Sequence, residues 1–162
     1  MIMPRVPGSR VGVLGGTIAR MTQDLTNSPA RDAATRVAQV LLYSDNATIR
    51  RAVTAAVGER LGRAGPAIEW TETATHQVAM DKLTFGFYDL LIADAETGKL
   101  GGIGLARFVA DEVEDPPPVL MLITRPQDRW LATWSGAART LIYPTDPFEV
   151  GQTVSEMLGE HV

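Results

Sequence analysis

The chain contains no cysteine, so disulfides and thiolate metal sites are excluded. It has two histidines, His76 and His161, too few for a histidine-built metal centre. The same scarcity argues against a Ser-His-Asp hydrolase, and no enzymatic activity is expected. No apolar run approaches the roughly 20 residues of a membrane-spanning helix. Residues 11–16 are too short and too rich in glycine for the apolar region of a signal peptide. A cytoplasmic protein with no membrane insertion is therefore expected. Positive charge is also scarce beyond the N-terminus. Arg5, Arg10, Arg20, Arg31 and Arg36 against Asp24 and Asp32 give residues 1–36 a net +3, which leaves −7 for the rest of a chain of net charge −4. An acidic body suits a phosphate backbone poorly, so DNA is not an expected partner.

What is present suffices for one well-packed domain. The chain has 162 residues, 45% of them hydrophobic. Residues 1–36 mix Gly, Pro, Arg, Ser and Thr without periodicity and are predicted to be a flexible arm. Met21 is a candidate alternative start of translation. The stretch from Gly12 to Thr17 matches neither G-x-G-x-x-G nor a P-loop, so no nucleotide site is expected there. Residues 37–162 are predicted to be the folded domain. No room is expected after residue 162 for an attached output domain.

From residue 37 the pattern alternates. Strands are predicted over 37–44, 67–73, 90–93, 119–123 and 140–143. Helices are predicted over 47–61, 78–83, 103–113, 128–135 and from Pro147 onward. Asn46 or Asp45 suits the first helix cap, and Asp146 the last. Continuous apolar strands imply a sheet covered on both faces. The expectation is a doubly wound parallel sheet of order 2-1-3-4-5, with three α/β/α layers.

In such a sheet, ligand chemistry sits at the carboxyl ends of the strands. Two acids occupy strand ends here. Asp94 closes the run Leu90 to Ala93 and is followed by Gly98, Gly101 and Gly102. Asp45 follows the run Val40 to Ser44. Either is a candidate metal ligand, and Asp94 a candidate nucleophile.

Several segments resemble the CheY-like receiver domains of bacterial response regulators. Residues 44–51 look like the acid-pair turn and first helix of that family. Asp94 falls at its phosphoacceptor aspartate, and Gly102 at the glycine that closes its loop. Residues 118–124 resemble its fourth strand and hydroxyl switch. Tyr143-Pro144 stands where the family has a lysine–proline pair, whose peptide is usually cis. The resemblance spans about residues 37–160. It implies a phosphoacceptor-like Asp94, a pocket of Ser44, Asp45, Thr124 and Tyr143, and magnesium ligands Asp45, Asp94 and Glu96.

The departures bear on chemistry. Ser44 replaces the first acid of the pair, and Tyr143 replaces the lysine. Gapless alignment puts Ile123 at the switch position and Thr124 one place late. Gly98 and Gly101 replace the loop proline and acid, and Thr140 the reporter aromatic. Mg²⁺ demands a near-octahedral oxygen shell, and one lost carboxylate weakens its hold. A preorganised transition-state donor is worth roughly 3–4 kcal/mol, and a phenol is a poor substitute for an ammonium. The expectation is an atypical, single-domain response regulator with weak Mg²⁺ binding and weak or absent phosphorylation, acting through protein contacts. Its expected partners are a sensor histidine kinase or a downstream target. Trp130 and Trp134, four apart on a short helix, pack in the core or mark an interface. The interface reading includes a homodimer through the helix 4–strand 5–helix 5 face. A conventional phospho-accepting receiver using Asp94 and Mg²⁺ is the alternative. A flavodoxin-type binder is disfavoured, because Asp45 would repel a phosphate. Arg50 and Arg51 are expected to be exposed on the first helix, and residues 111–115 to form a solvated acidic turn.

Overall fold

The computed structural model describes residues 36–98 and 100–159. Residues 1–35 of the expected arm, with the stretch from Gly12 to Thr17 and Met21, and His161 lie outside the described residues. Among the described residues five strands alternate with five helices: β1 (Val37–Tyr43), α1 (Ala47–Val57), β2 (Ala67–Thr73), α2 (His76–Phe85), β3 (Leu90–Asp94), α3 (Gly101–Glu112), β4 (Val119–Ile123), α4 (Arg129–Trp134), β5 (Arg139–Ile142) and α5 (Pro147–Gly159). The sheet is parallel, of order β2-β1-β3-β4-β5. This is the expected doubly wound topology, with the switch of winding direction between β1 and β3.

Each central strand feeds both faces, because successive side chains point opposite ways. Val40 and Leu42 of β1, Ile92 of β3 and Leu120 of β4 pack with Val53 of α1 and Val154 of α5. Leu41, Leu91 and Met121 point the other way, onto Leu83 of α2, Leu105 of α3 and Ala132 of α4. All five residues of β3 and of β4 are buried, which explains their unbroken apolar runs.

Local signals fix the helix ends. The Asn46 side chain caps α1 by accepting from the Thr48 N–H over 2.9 Å. The helix stops at Val57 rather than Leu61, because Gly58 takes φ +82°. A positive φ suits glycine and ends the helical hydrogen bonding. Leu61 still reaches the core, from the loop. Asp146 Oδ1 accepts from Phe148 N over 2.8 Å at the start of α5. Helices α2 and α3 each begin two residues earlier than their apolar pattern suggests, at His76 and Gly101. A 3₁₀ turn, Pro126–Asp128, precedes α4.

Candidate functional site

The site forms where β1 and β3 end side by side. Asp94 is the last residue of β3, in register with Leu122 of β4, and it is buried. Thr97 Oγ1 donates to the Asp94 carbonyl over 3.1 Å and tightens the loop that follows. Gly102 then brings α3 against the strand end. A Cβ there would stand 2.6 Å from the Asp94 carbonyl oxygen and 3.1 Å from the Ala93 Cβ. The closing glycine is therefore a steric requirement.

Both Asp94 carboxylate oxygens are engaged. Ser44 Oγ donates to Oδ2 over 2.7 Å, and the Glu96 N–H donates to Oδ1 over 3.0 Å. Ser44 is fully buried, and its oxygen accepts from Asn46 N over 3.1 Å. A hydroxyl has one proton to donate, and the shorter contact directs it to Asp94. A serine at this place thus acts as a neutral donor where a carboxylate would repel its neighbour.

Arg50 holds the other side of Ser44. Its Nη1 donates to the Ser44 carbonyl over 2.6 Å, while Nε pairs with Glu72 Oε2 of β2 over 3.0 Å. Arg51 is exposed as expected, but Arg50 is only partly so. It is a strap across β1, α1 and β2 rather than a free surface cation. The local sequence carried no sign of this, because Glu72 lies on another strand. Thr97 was also missed, although a threonine three residues after a strand end commonly bonds back to the backbone.

The Glu96 side chain is bonded to Thr124. Its Oε1 accepts from Thr124 Oγ1 over 2.7 Å, and both residues are exposed. A hydrogen-bonded chain thus runs Ser44–Asp94–Glu96–Thr124. Ile123 is fully buried as the last residue of β4, so the hydroxyl next to the site belongs to Thr124, beyond the strand. Tyr143 is partly buried and packs against the core shared by α1 and α5. Its N–H donates to the Ile123 carbonyl over 2.6 Å, and the Tyr143–Pro144 peptide is cis.

Asp45 is exposed and lines a cavity of about 280 Å³ with Tyr43, Thr75, His76, Gly98 and Leu100. The His76 ring meets Tyr43 edge-on, centroids 6.0 Å apart, and its Nδ1 is buried without a hydrogen-bond partner. Burial pushes the imidazole pKa below its ordinary value. Among the described residues, no group of three His, Cys, Asp or Glu side chains stands where it could share a metal ion. Ser44 and Thr124 each donate to one oxygen of the Asp94 and Glu96 carboxylates, the side chains the resemblance offers to a magnesium ion.

The tryptophans do not pack in the core. Trp130 is 68% and Trp134 59% exposed, and the small Ala132 is the buried residue of α4. The Arg107 guanidinium of α3 lies 5.5 Å from the Trp134 ring centroid and also pairs with Asp111. Among the described residues no helix is long and apolar enough to cross a membrane.

A buried aspartate at the end of the third strand of a 2-1-3-4-5 sheet, beside the end of the first, defines the receiver class of α/β domain. No protein-family model matches the chain. Known relatives do. An uncharacterized response regulatory protein of Mycobacterium tuberculosis is 39% identical over 120 residues, covering 74% of this chain and 90% of that protein. The chemotaxis response regulator CheY4 of Vibrio cholerae is 25% identical, with a TM-score of 0.62 over 75% of this chain and 99% of that one. The response regulator TrrA of Thermotoga maritima, solved in complex with Mg(2+)-BeF, has a TM-score of 0.63 at 21% identity, over 74% of this chain and 98% of that one. The last shares the fold alone. This chain belongs to the response-regulator receiver family of two-component signalling.

Proposed function

We propose that this receiver is an atypical one, a cytoplasmic protein that signals through protein–protein contacts, with weak or absent phosphorylation of Asp94 and weak Mg²⁺ binding. The observation that carries this reading is the 2.7 Å hydrogen bond from Ser44 to Asp94 Oδ2. It supplies a neutral donor where a second carboxylate would help to hold a divalent cation. Asp45, Asp94 and the Glu96 carbonyl remain as weak donors for Mg²⁺. The chemistry the ion supplies when bound is neutralisation of phosphoryl oxygens. The loss of a cation at position 143 acts in the same direction. Tyr143 packs on the apolar core and brings no positive charge, so a phosphoryl group on Asp94 has little to pull on. A ligand shifts two states only by its differential affinity for them.

The exposed Trp130 and Trp134 support contact through α4, with Trp134 beside Arg107 of α3. Large apolar side chains held out in water are favoured at interface hot spots. A sensor histidine kinase or a downstream target is the partner in this reading. The test is incubation with acetyl phosphate and Mg²⁺ followed by intact-mass measurement. No adduct, or a trace, is expected. Stoichiometric phosphate on Asp94 overturns the reading and favours the second one, a conventional phospho-accepting receiver. That alternative draws on the buried strand-end Asp94 and on the Mg(2+)-BeF complex of the Thermotoga neighbour.

A further inference from the structure

At the edge of the sheet opposite Asp94, where the strands begin, two adjoining hollows share Tyr88. One, of about 330 Å³, is lined by Arg36, Phe87, Asp115 and Pro116. The other, of about 450 Å³, is lined by Val78, Asp81, Lys82 and Phe85. Gly86 brings the backbone against the Tyr88 ring, since a Cβ there would lie 3.0 Å from Tyr88 Cε2. Phe85 is 87%, Phe87 62% and Val78 45% exposed. Large apolar side chains gathered in water around one pair of hollows mark a contact surface. Its charges divide unevenly. Arg36 is bonded to Asp89, Lys82 follows Asp81, and Arg107 pairs with Asp111. Those charges balance. Glu112, Glu114 and Asp115 are exposed and make no ion pair among the described residues. The surplus is therefore acidic and lies at the Asp115 end.

Residues 10–21 of the same chain carry the complement. Val11, Val13, Leu14, Ile18 and Met21 are apolar, Arg10 and Arg20 are basic, and no acid lies among them. We propose that residues 10–21 dock on this surface of their own chain, Leu14 and Ile18 over Phe85 and Phe87, and Arg20 against the acidic turn. Residues 22–35 tether them and span at most about 50 Å. The anchor of that tether is Arg36, which itself lines the first hollow. A tether of this kind holds its segment at about millimolar effective concentration, so a weak apolar contact stays occupied. The docking is independent of Asp94 chemistry and of the α4 tryptophans, which lie elsewhere on the domain.

Disulfide trapping on the full chain tests this, because the native chain has no cysteine. With Leu14→Cys and Phe87→Cys together, mild oxidation should close an intramolecular disulfide at a rate independent of protein concentration. Val13→Asp with Ile18→Asp, added to that pair, keeps the same tether and leaves residues 36–159 unaltered. Closure should then slow at least about tenfold, because burying an unpaired charge is costly. Arg20→Glu should slow it as well. Closure as fast with Val13→Asp and Ile18→Asp as without them overturns the proposal, since tethering alone then explains the cross-link. Disulfide-linked dimers in place of the closed monomer overturn it too, and give the surface to a second copy. Should the Phe87→Cys chain fail to fold, Phe85→Cys, at the more exposed ring, takes its place with the same outcomes.

Discussion

The Ser44 hydroxyl donates to Asp94 Oδ2 over 2.7 Å, and both side chains are buried. Strand ends that would otherwise set two carboxylates side by side instead share one negative charge and one proton. This removes a repulsion that a bound cation would have to offset. It also leaves that cation with less to bind.

The first prediction follows from restoring the charge. Ser44→Asp places two carboxylates within hydrogen-bond distance in a buried setting, where like charges disfavour each other. In EDTA the variant should unfold at a lower temperature than the native chain. Added Mg²⁺ should recover much of the loss, because a ligand that binds the folded state alone stabilises it by mass action. The native chain should barely respond. Thermal unfolding with and without Mg²⁺ measures both, and an equal Mg²⁺ response in the two proteins contradicts the argument.

The second prediction adds the missing cation. In phosphotransfer from acetyl phosphate an Asp94 oxygen forms the bond to phosphorus as acetate leaves. Charge builds on the phosphoryl oxygens, and a placed donor is typically worth about 10²–10³ in rate. Tyr143→Lys in the Ser44→Asp background should therefore raise the labelling rate of Asp94 by about 10²-fold over Ser44→Asp alone. Time-resolved intact-mass spectra give the two rates. Equal rates mean that the lysine does not reach the phosphoryl group.

The fold was legible because its strands announce themselves. The runs ending at Ile123 and Asp94 are continuous and apolar, as strands buried on both faces must be, and Asp94 stands out as the first polar residue after one of them. Helix ends were less legible. Gly58 stops α1 through its backbone conformation, which hydrophobic periodicity does not report. Contacts between distant residues were not legible at all. The Arg50 strap depends on Glu72 lying on the neighbouring strand, and the Thr124–Glu96 bond joins two loops 28 residues apart. The tryptophans left core and surface open, because a six-residue helix can cover the sheet with Ala132 alone.

A third prediction concerns the close approach of α3 to the strand end. Gly102→Ala drives a methyl group to 2.6 Å from the Asp94 carbonyl oxygen, where backbone rather than a flexible side chain must yield. Overpacking of this kind costs typically 1–3 kcal/mol, and denaturant unfolding should register about that loss. Gly159→Ala, whose Cβ would meet nothing within 4 Å, is the control and should change little. Equal effects in the two variants contradict the steric account.

The last prediction is a pH dependence. His76 packs edge-on against Tyr43 with Nδ1 buried and unpartnered, and burial holds its pKa below 6.5. The folded state therefore prefers the neutral ring. As pH falls through about 6.5, the unfolded chain takes up a proton that the folded chain refuses, and stability drops. The decline levels off once the pH passes the lowered folded-state value and both states are protonated. His76→Phe keeps an apolar ring in this seat and removes the titration. The difference in melting temperature between native chain and variant should thus stay constant above pH 7 and shift in the variant's favour between pH 6.5 and 5. Other titrating groups cancel in that difference. A native chain that gains stability relative to the variant as pH falls would mean that His76 acquires a partner for its charge.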